Sequence, residues 1–149
     1  MSKIKRTTSE DSDFQNLVVF LDQDLKIKDG EEHSFFAQYN KLDSIKNVVV
    51  YYDDGVAVGC GAFKHFDENT VEIKRMFVSP EFRGKGIAYE ILNELESWAI
   101  EIGYSEYILE TGKKMIEAIK LYERAGYSRI PNYGQYENIE SSVCMKKKN

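Results

Sequence analysis

The sequence predicts an α/β (α+β) fold, a mixed and mostly antiparallel sheet of six to seven strands with helices on both faces. Three observations predict it. Residues 48–78 contain three β-prone runs divided by short polar turns, the pattern of an antiparallel meander. The third run, Thr70 to Val78, is stopped by Ser79-Pro80, because proline has no N–H for a ladder and pushes its predecessor into extended backbone. After the turn Arg83-Gly84-Lys85-Gly86 an amphipathic helix leads to another strand, so Thr70 through Leu109 should form a right-handed parallel crossover.

In chain order, Lys3 to Thr8 reads as a short first strand and Thr7 to Ser12 as a polar turn. Asp13 is placed to cap a helix whose Phe14, Leu17, Val18, Leu21 and Leu25 recur at helical spacing, with Asp29-Gly30 ending that region. His33 to Leu42 reads as a second helix with Phe35, Phe36 and Tyr39 as its bulky members. His33 has no partner at ligand spacing, so no metal site is expected. Val48 to Tyr52 is a strand, Asp53-Asp54-Gly55 a hairpin turn, and Val56 to Phe66 the return strand. Gly59 and Gly61 flank Cys60, which points to a close backbone approach or a bulge. The helix from about Gly86 to Ile102 carries the stripe Ile87, Ile91, Leu95, Trp98 and Ile102 and stops at Gly103. Glu94, Glu96 and Glu101 read as its solvated face. Tyr107 to Leu109 is a fifth strand, Met115 to Ala125 a further helix closed by Gly126, and Tyr127 to Ile130 with Ser142 to Met145 a last strand pair. Lys146 to Lys148 reads as a solubilising tail.

The 149 residues suit one domain, 1–149, able to bury a core without staples. A 42% hydrophobic content rules out a disordered chain, and the net charge of −5 argues against a general nucleic-acid binder and mildly favours a cationic acceptor. Cys60 and Cys144 lie far apart in strands, which suits two buried thiols in a reducing compartment. No apolar run approaches a membrane span and the first residues lack a signal-peptide core, so a cytoplasmic protein is expected.

The chemistry concentrates in Arg83 to Ala88. A helix start has unpaired N–H groups and partial positive charge; Gly84 and Gly86 let backbone approach a ligand, and Arg83 and Lys85 add charge. This is a phosphate cradle. A Rossmann fingerprint would need a third glycine where Tyr89 stands, and neither Gly84-Lys85 nor Gly112-Lys113 precedes the Ser or Thr of a P-loop. What remains is R-x-x-G-x-A directly after a strand. It resembles the acetyl-CoA-binding motif of the GNAT superfamily of N-acetyltransferases. Ala118 to Tyr127, A-I-K-L-Y-E-R-A-G-Y, resembles the same family's later helix with its tyrosine and terminal glycine-aromatic pair.

The resemblance implies acetyl-CoA as cosubstrate, a primary amine of a small molecule, amino acid or peptide as acceptor, direct attack in a ternary complex, and no metal. It implies that the strand edge at Met76, Phe77 and Val78 pairs with pantetheine, the Met76 N–H facing the thioester carbonyl. Arg83, Gly84, Lys85, Gly86, Ile87 and Ala88 would hold the diphosphate, with Thr111, Ala118 and Tyr122 completing the cofactor contacts. Tyr122 is the expected general acid, since small residues flank it and a phenol stays protonated at neutral pH. Glu72, four residues before Met76 and so expected on its strand face, is the candidate base; Glu110 is its rival, and Glu72 could equally pair with Lys74 or a cross-strand lysine. Phe36, Tyr133 and Tyr136, with Glu110, are the expected acceptor contacts. The resemblance also implies homodimers as a frequent state. The competing reading is a non-catalytic acyl-CoA-binding or sensing module.

Overall fold

The computed structural model describes residues 1–29 and 45–149, the side chains of 25–29 excepted. The expected helix His33 to Leu42, with His33 and Phe36, and the side chain of Leu25 lie outside the described residues.

One seven-stranded sheet is built from β1 (Ser2–Thr7), β2 (Asn47–Asp53), β3 (Val56–Asp67), β4 (Thr70–Val78), β5 (Glu106–Gly112), β6 (Ser128–Ile130) and β7 (Ser142–Lys148). The strand order is β1-β2-β3-β4-β5-β7-β6, and β4–β5 is its single parallel pair, joined by the predicted crossover. The helices among the described residues are α1 (Ser12–Asp29), α2 (Ile87–Glu101) and α3 (Ile116–Arg124).

Two cores lie on opposite faces of the sheet. α1 buries Phe14, Leu17, Val18 and Leu21 against Val48 and Val50 of β2, Cys60 and Ala62 of β3, and Phe77 of β4. α2 buries Ile87, Ile91, Leu92, Leu95 and Ala99 on the other side, in one cluster with Ile119 and Tyr122 of α3. Gly61 explains how closely α2 can approach: a Cβ there would lie 2.6 Å from Met76 Sδ and 2.9 Å from both Ile91 Cγ2 and Leu95 Cδ1. The expected close approach at this glycine is therefore present.

Four local expectations fail. The cap of α1 is Asp11, whose Oδ1 accepts the Phe14 N–H at 3.1 Å; Asp13 lies one residue inside the helix and accepts the Tyr52 hydroxyl at 2.7 Å. Ile102 is half exposed, because α2 ends at Glu101 before another turn can bring it inward. Glu96 is not on a solvated face. It is buried, and accepts Lys147 Nζ and the Tyr127 hydroxyl, each at 2.8 Å. The lysines 146–148 are correspondingly no tail: they belong to β7, and Lys146 Nζ lies 2.6 Å from Glu106 Oε1. Glu94 and Glu101 stay near the surface but clamp Arg6 of β1, at 2.6 and 2.7 Å.

Candidate active site

The parallel ladder between β4 and β5 is short. Thr70, Val71 and Glu72 pair with Glu106, Tyr107 and Ile108, and no pairing continues beyond Glu72. Past that point β4 and β5 are no longer paired with each other. Between the two strands lies a cleft of about 110 Å³. Its β4 wall is Glu72 to Met76; Glu110, Thr111 and Gly112 of β5 stand opposite; Met115, Ala118 and Tyr122 close one side, and Leu21 and Tyr136 the other.

The β4 wall is shaped by a bulge. Cys60 pairs with Phe77 but Ala62 pairs with Lys74, so β4 carries one residue more than β3 over this interval. Arg75 absorbs the misfit with φ of 61°. The bulge inverts the alternation. Val71 and Ile73 face α2, as do Met76 and Val78, whereas Phe77 faces α1. Glu72 and Met76 therefore do not share a strand face, contrary to the expectation from their spacing. They meet only because both line the cleft.

Glu72 is held from two directions: its Oε2 accepts the Tyr133 hydroxyl at 2.7 Å, and Lys74 Nζ lies 4.0 Å from its Oε1. Glu110 lines the same cleft from β5. Three phenols face these carboxylates. Burial, reinforced by Glu110, pushes the Tyr122 hydroxyl well above its ordinary range; burial and Glu72 do so for Tyr133, and burial with both carboxylates for Tyr136. All three stay protonated donors at neutral pH. Tyr122 is wedged edge-on against Tyr127, ring centroids 5.8 Å apart, which fixes its ring in the cleft wall. Tyr136, expected on a loop, is almost fully buried beside Cys144.

The glycine turn lies between β4 and α2. Gly84 and Gly86 have φ of 80° and 81°, the left-handed region that favours glycine, and a Cβ at either would meet no protein atom within 4 Å. Gly86 is the N-cap of α2, no side chain caps the helix, and its first bond runs from Glu90 N to Gly86 O. The N–H groups of Ile87, Ala88 and Tyr89 thus have no acceptor within the helix. Arg83 is anchored within the protein. Its Nε donates to Val78 O at 2.7 Å and its guanidinium lies 3.5 Å from Asp24, so it ties the turn to β4 and α1. Lys85 stays exposed, its ammonium 5.2 Å from the centre of the Phe82 ring.

The sequence pattern of the Acetyltransferase (GNAT) family matches residues 11–127. The chain belongs to this family. Over 149 aligned residues it is 32% identical to the IAA acetyltransferase of Azospirillum brasilense, covering 95% of this chain and 96% of that one. A structure described as an acyl-CoA N-acyltransferase of Klebsiella pneumoniae superposes with a TM-score of 0.82 at 28% identity, covering 99% of this chain and 97% of its own. The PaiA N-acetyltransferase of Thermoplasma acidophilum, solved in complex with coenzyme A, shares the fold at a TM-score of 0.75 and 18% identity, covering 100% and 99% of the two chains. The seven-stranded sheet and its helices are the GNAT fold, and the chain is an acyltransferase of that family.

Of the residues singled out in the sequence, the GNAT fold gathers Glu72, Met76, Glu110, Thr111, Ala118, Tyr122 and Tyr136 on one cleft, with Tyr133 bonded to Glu72 behind it. Phe77, Val78 and Ile87 turn their side chains into the two cores, leaving only main chain for a ligand. Sequence reasoning missed Lys74 and Arg75 as cleft residues. They look like ordinary charged positions of a strand, and no local pattern announces the bulge that sets Arg75 on the same side as Lys74. No described helix is long and apolar enough to cross a membrane, and the described residues hold no cluster of metal-ligating side chains.

Proposed function

We propose that residues 1–149 act as one domain, a cytoplasmic acetyl-CoA-dependent N-acetyltransferase that moves an acetyl group to a primary amine by direct attack in a ternary complex. One observation carries this reading. The opening where β4 and β5 cease to pair has β4 on one wall and the Tyr122 phenol on the other, beside an uncapped helix start with two left-handed glycines.

The residues present fit the cosubstrate. The turn Arg83 to Ala88 offers main-chain N–H groups to a diphosphate, with open space where a Cβ at Gly84 or Gly86 would stand. The edge of β4 near Met76 to Val78, beyond its pairing with β5, can pair with a pantetheine arm. A backbone N–H at Met76 aimed at the thioester oxygen would stabilise the oxyanion by about 3–4 kcal/mol. The amine nitrogen bonds to the thioester carbon, the C–S bond breaks, and Tyr122 gives its proton to the departing thiolate. The proton leaving the amine goes to Glu72 or Glu110, which line the same cleft. Neither cysteine serves as an acyl carrier: Cys60 and Cys144 are buried, and burial pushes their thiols up to about 12 and about 11.

The deciding experiment is Tyr122→Phe, followed by release of CoA thiol with a panel of amines. A kcat loss of about 100-fold or more is expected, with coenzyme affinity held within a few fold. Unchanged turnover would remove Tyr122 from the chemistry. Glu72→Gln should lose rate that high pH partly restores, while a wild-type pH profile would assign the base to Glu110. A non-catalytic sensing module would bind the coenzyme and release no thiol with any amine.

A further inference from the structure

Acetyl transfer gives tasks to the carboxylates and phenols of the cleft and none to its two cations. Lys74 and Arg75 stand side by side on β4 with side chains 7% and 2% exposed, and both line the cleft. A hydrophobic residue would fill a cleft wall at less cost than a buried charge. The backbone is also strained where it places Arg75. Arg75 occupies the left-handed region, where a long side chain is rarely found. Lys74 shares the Glu72 side of β4 by regular alternation, and the bulge adds Arg75 to that side, where a regular strand would have turned it away.

The spacing of charge on that wall is specific. Lys74 Nζ and Glu72 Oε1 are 4.0 Å apart, and Arg75 Nη1 lies 3.2 Å from Asp22 Oδ1 beside them. An α-amino acid carries its ammonium nitrogen and nearest carboxylate oxygen roughly 3 Å apart by standard bond lengths. Laid head to tail against the wall, it would meet each fixed charge with its opposite.

Resting on the N-acetyltransferase reading above, we infer that the acceptor is a small amino acid or similarly short zwitterion, its amine held toward Glu72 and its carboxylate bound by Lys74 with Arg75 alongside. The inference reverses what net charge suggests. The chain is acidic as a whole, but a diamine would bring its second ammonium against the buried Lys74 ammonium. Burial lowers the Lys74 pKa, and an incoming carboxylate offsets that by favouring the charged form. Lys74 is thus a specificity residue, distinct from the groups that move protons.

The test compares matched acceptors in the thiol-release assay: an amino acid, its α-carboxamide, the amine lacking the carboxyl, and a diamine. Wild type should prefer the acid over its carboxamide by about 10–100-fold in kcat/KM, the worth of a charge-assisted hydrogen bond. Lys74→Met should compress that ratio to a few fold, and Lys74→Arg should retain most of it. Calorimetric binding of CoA reports whether each variant folds; if Lys74→Met does not, the wild-type ratio and Lys74→Arg decide. Carboxamides or diamines used as well as acids, or a ratio unmoved in folded Lys74→Met, would overturn the inference and leave the transferase reading intact. Binding of acetyl-CoA without thiol release from any acceptor would instead sink that reading and this one with it.

Discussion

Glu96 offers a sharp test of how the fold beneath the cleft is held. Its carboxylate is buried between α2 and the last strands, accepting Lys147 Nζ and the Tyr127 hydroxyl at 2.8 Å each. The two charges are unequally shielded, since the Glu96 side chain is 10% exposed and that of Lys147 is 25% exposed. Lys147→Met removes the cation and leaves a buried carboxylate with Tyr127 as its remaining strong donor. Breaking a buried pair in this way costs about 3–5 kcal/mol. Glu96→Leu leaves the ammonium, which can turn toward water, and a buried Tyr127 hydroxyl without its acceptor, about 1–3 kcal/mol. The double variant Glu96→Leu/Lys147→Met leaves only the hydroxyl unsatisfied. It should therefore be less destabilised than Lys147→Met alone, by about 2 kcal/mol. Urea unfolding of the four proteins closes the cycle, and the Tm of Lys147→Met should fall by about 6–20 °C for a chain of this size. A double variant whose loss equals the sum of the two singles would refute the reasoning, because it would mean that the charges do not sense each other.

Gly61→Ala should cost about 1–3 kcal/mol in urea unfolding, because the new methyl meets Met76, Ile91 and Leu95 at 2.6–2.9 Å in a filled core. A neutral result would mean that α2 can lift from β3 without loss. Asp11→Ala should cost about 1 kcal/mol at pH 7 through the lost cap. Burial works to raise the Asp11 carboxyl, but Lys5, the Phe14 N–H and Thr7 together hold it below its usual range. Its folded pKa lies under the unfolded value, so the contribution is complete above about pH 4 and disappears as pH falls through the folded pKa. The gap between wild type and Asp11→Ala should accordingly be flat at neutral pH and narrow in acid; a gap that widens in acid would contradict the assignment. With its thiol at about 12, Cys60 is ionised to only about one part in ten thousand at pH 8. Mass spectrometry should show its alkylation only at the rate of global unfolding, and rapid labelling of the native protein would place it at the surface.

Much of this protein was legible as sequence because the signals are local. The Asp-Gly hairpin, the proline stop after Val78, the two glycines of the turn and the 3.6-residue stripe of α2 each reflect backbone or periodicity constraints within a few residues. The same locality exposed Arg83 to Ala88 as a glycine turn opening a helix and Tyr122 as a phenol between small neighbours. What stayed hidden depends on partners distant along the chain. Glu96 reads as a solvated glutamate until the strand bearing Lys147, 51 residues away, is laid beside it. The bulge at Arg75 arises from a register mismatch with β3, and a single inserted residue was enough to part Glu72 from the face of Met76 and to bring Arg75 onto the α1 side beside Lys74. Sequence by itself determined the elements and the glycine turn before α2, since these follow from each segment's own dihedral and hydrophobic preferences. Only tertiary structure decided which charges share the cleft, because register and burial are set by the pairing of strands remote from one another in the chain.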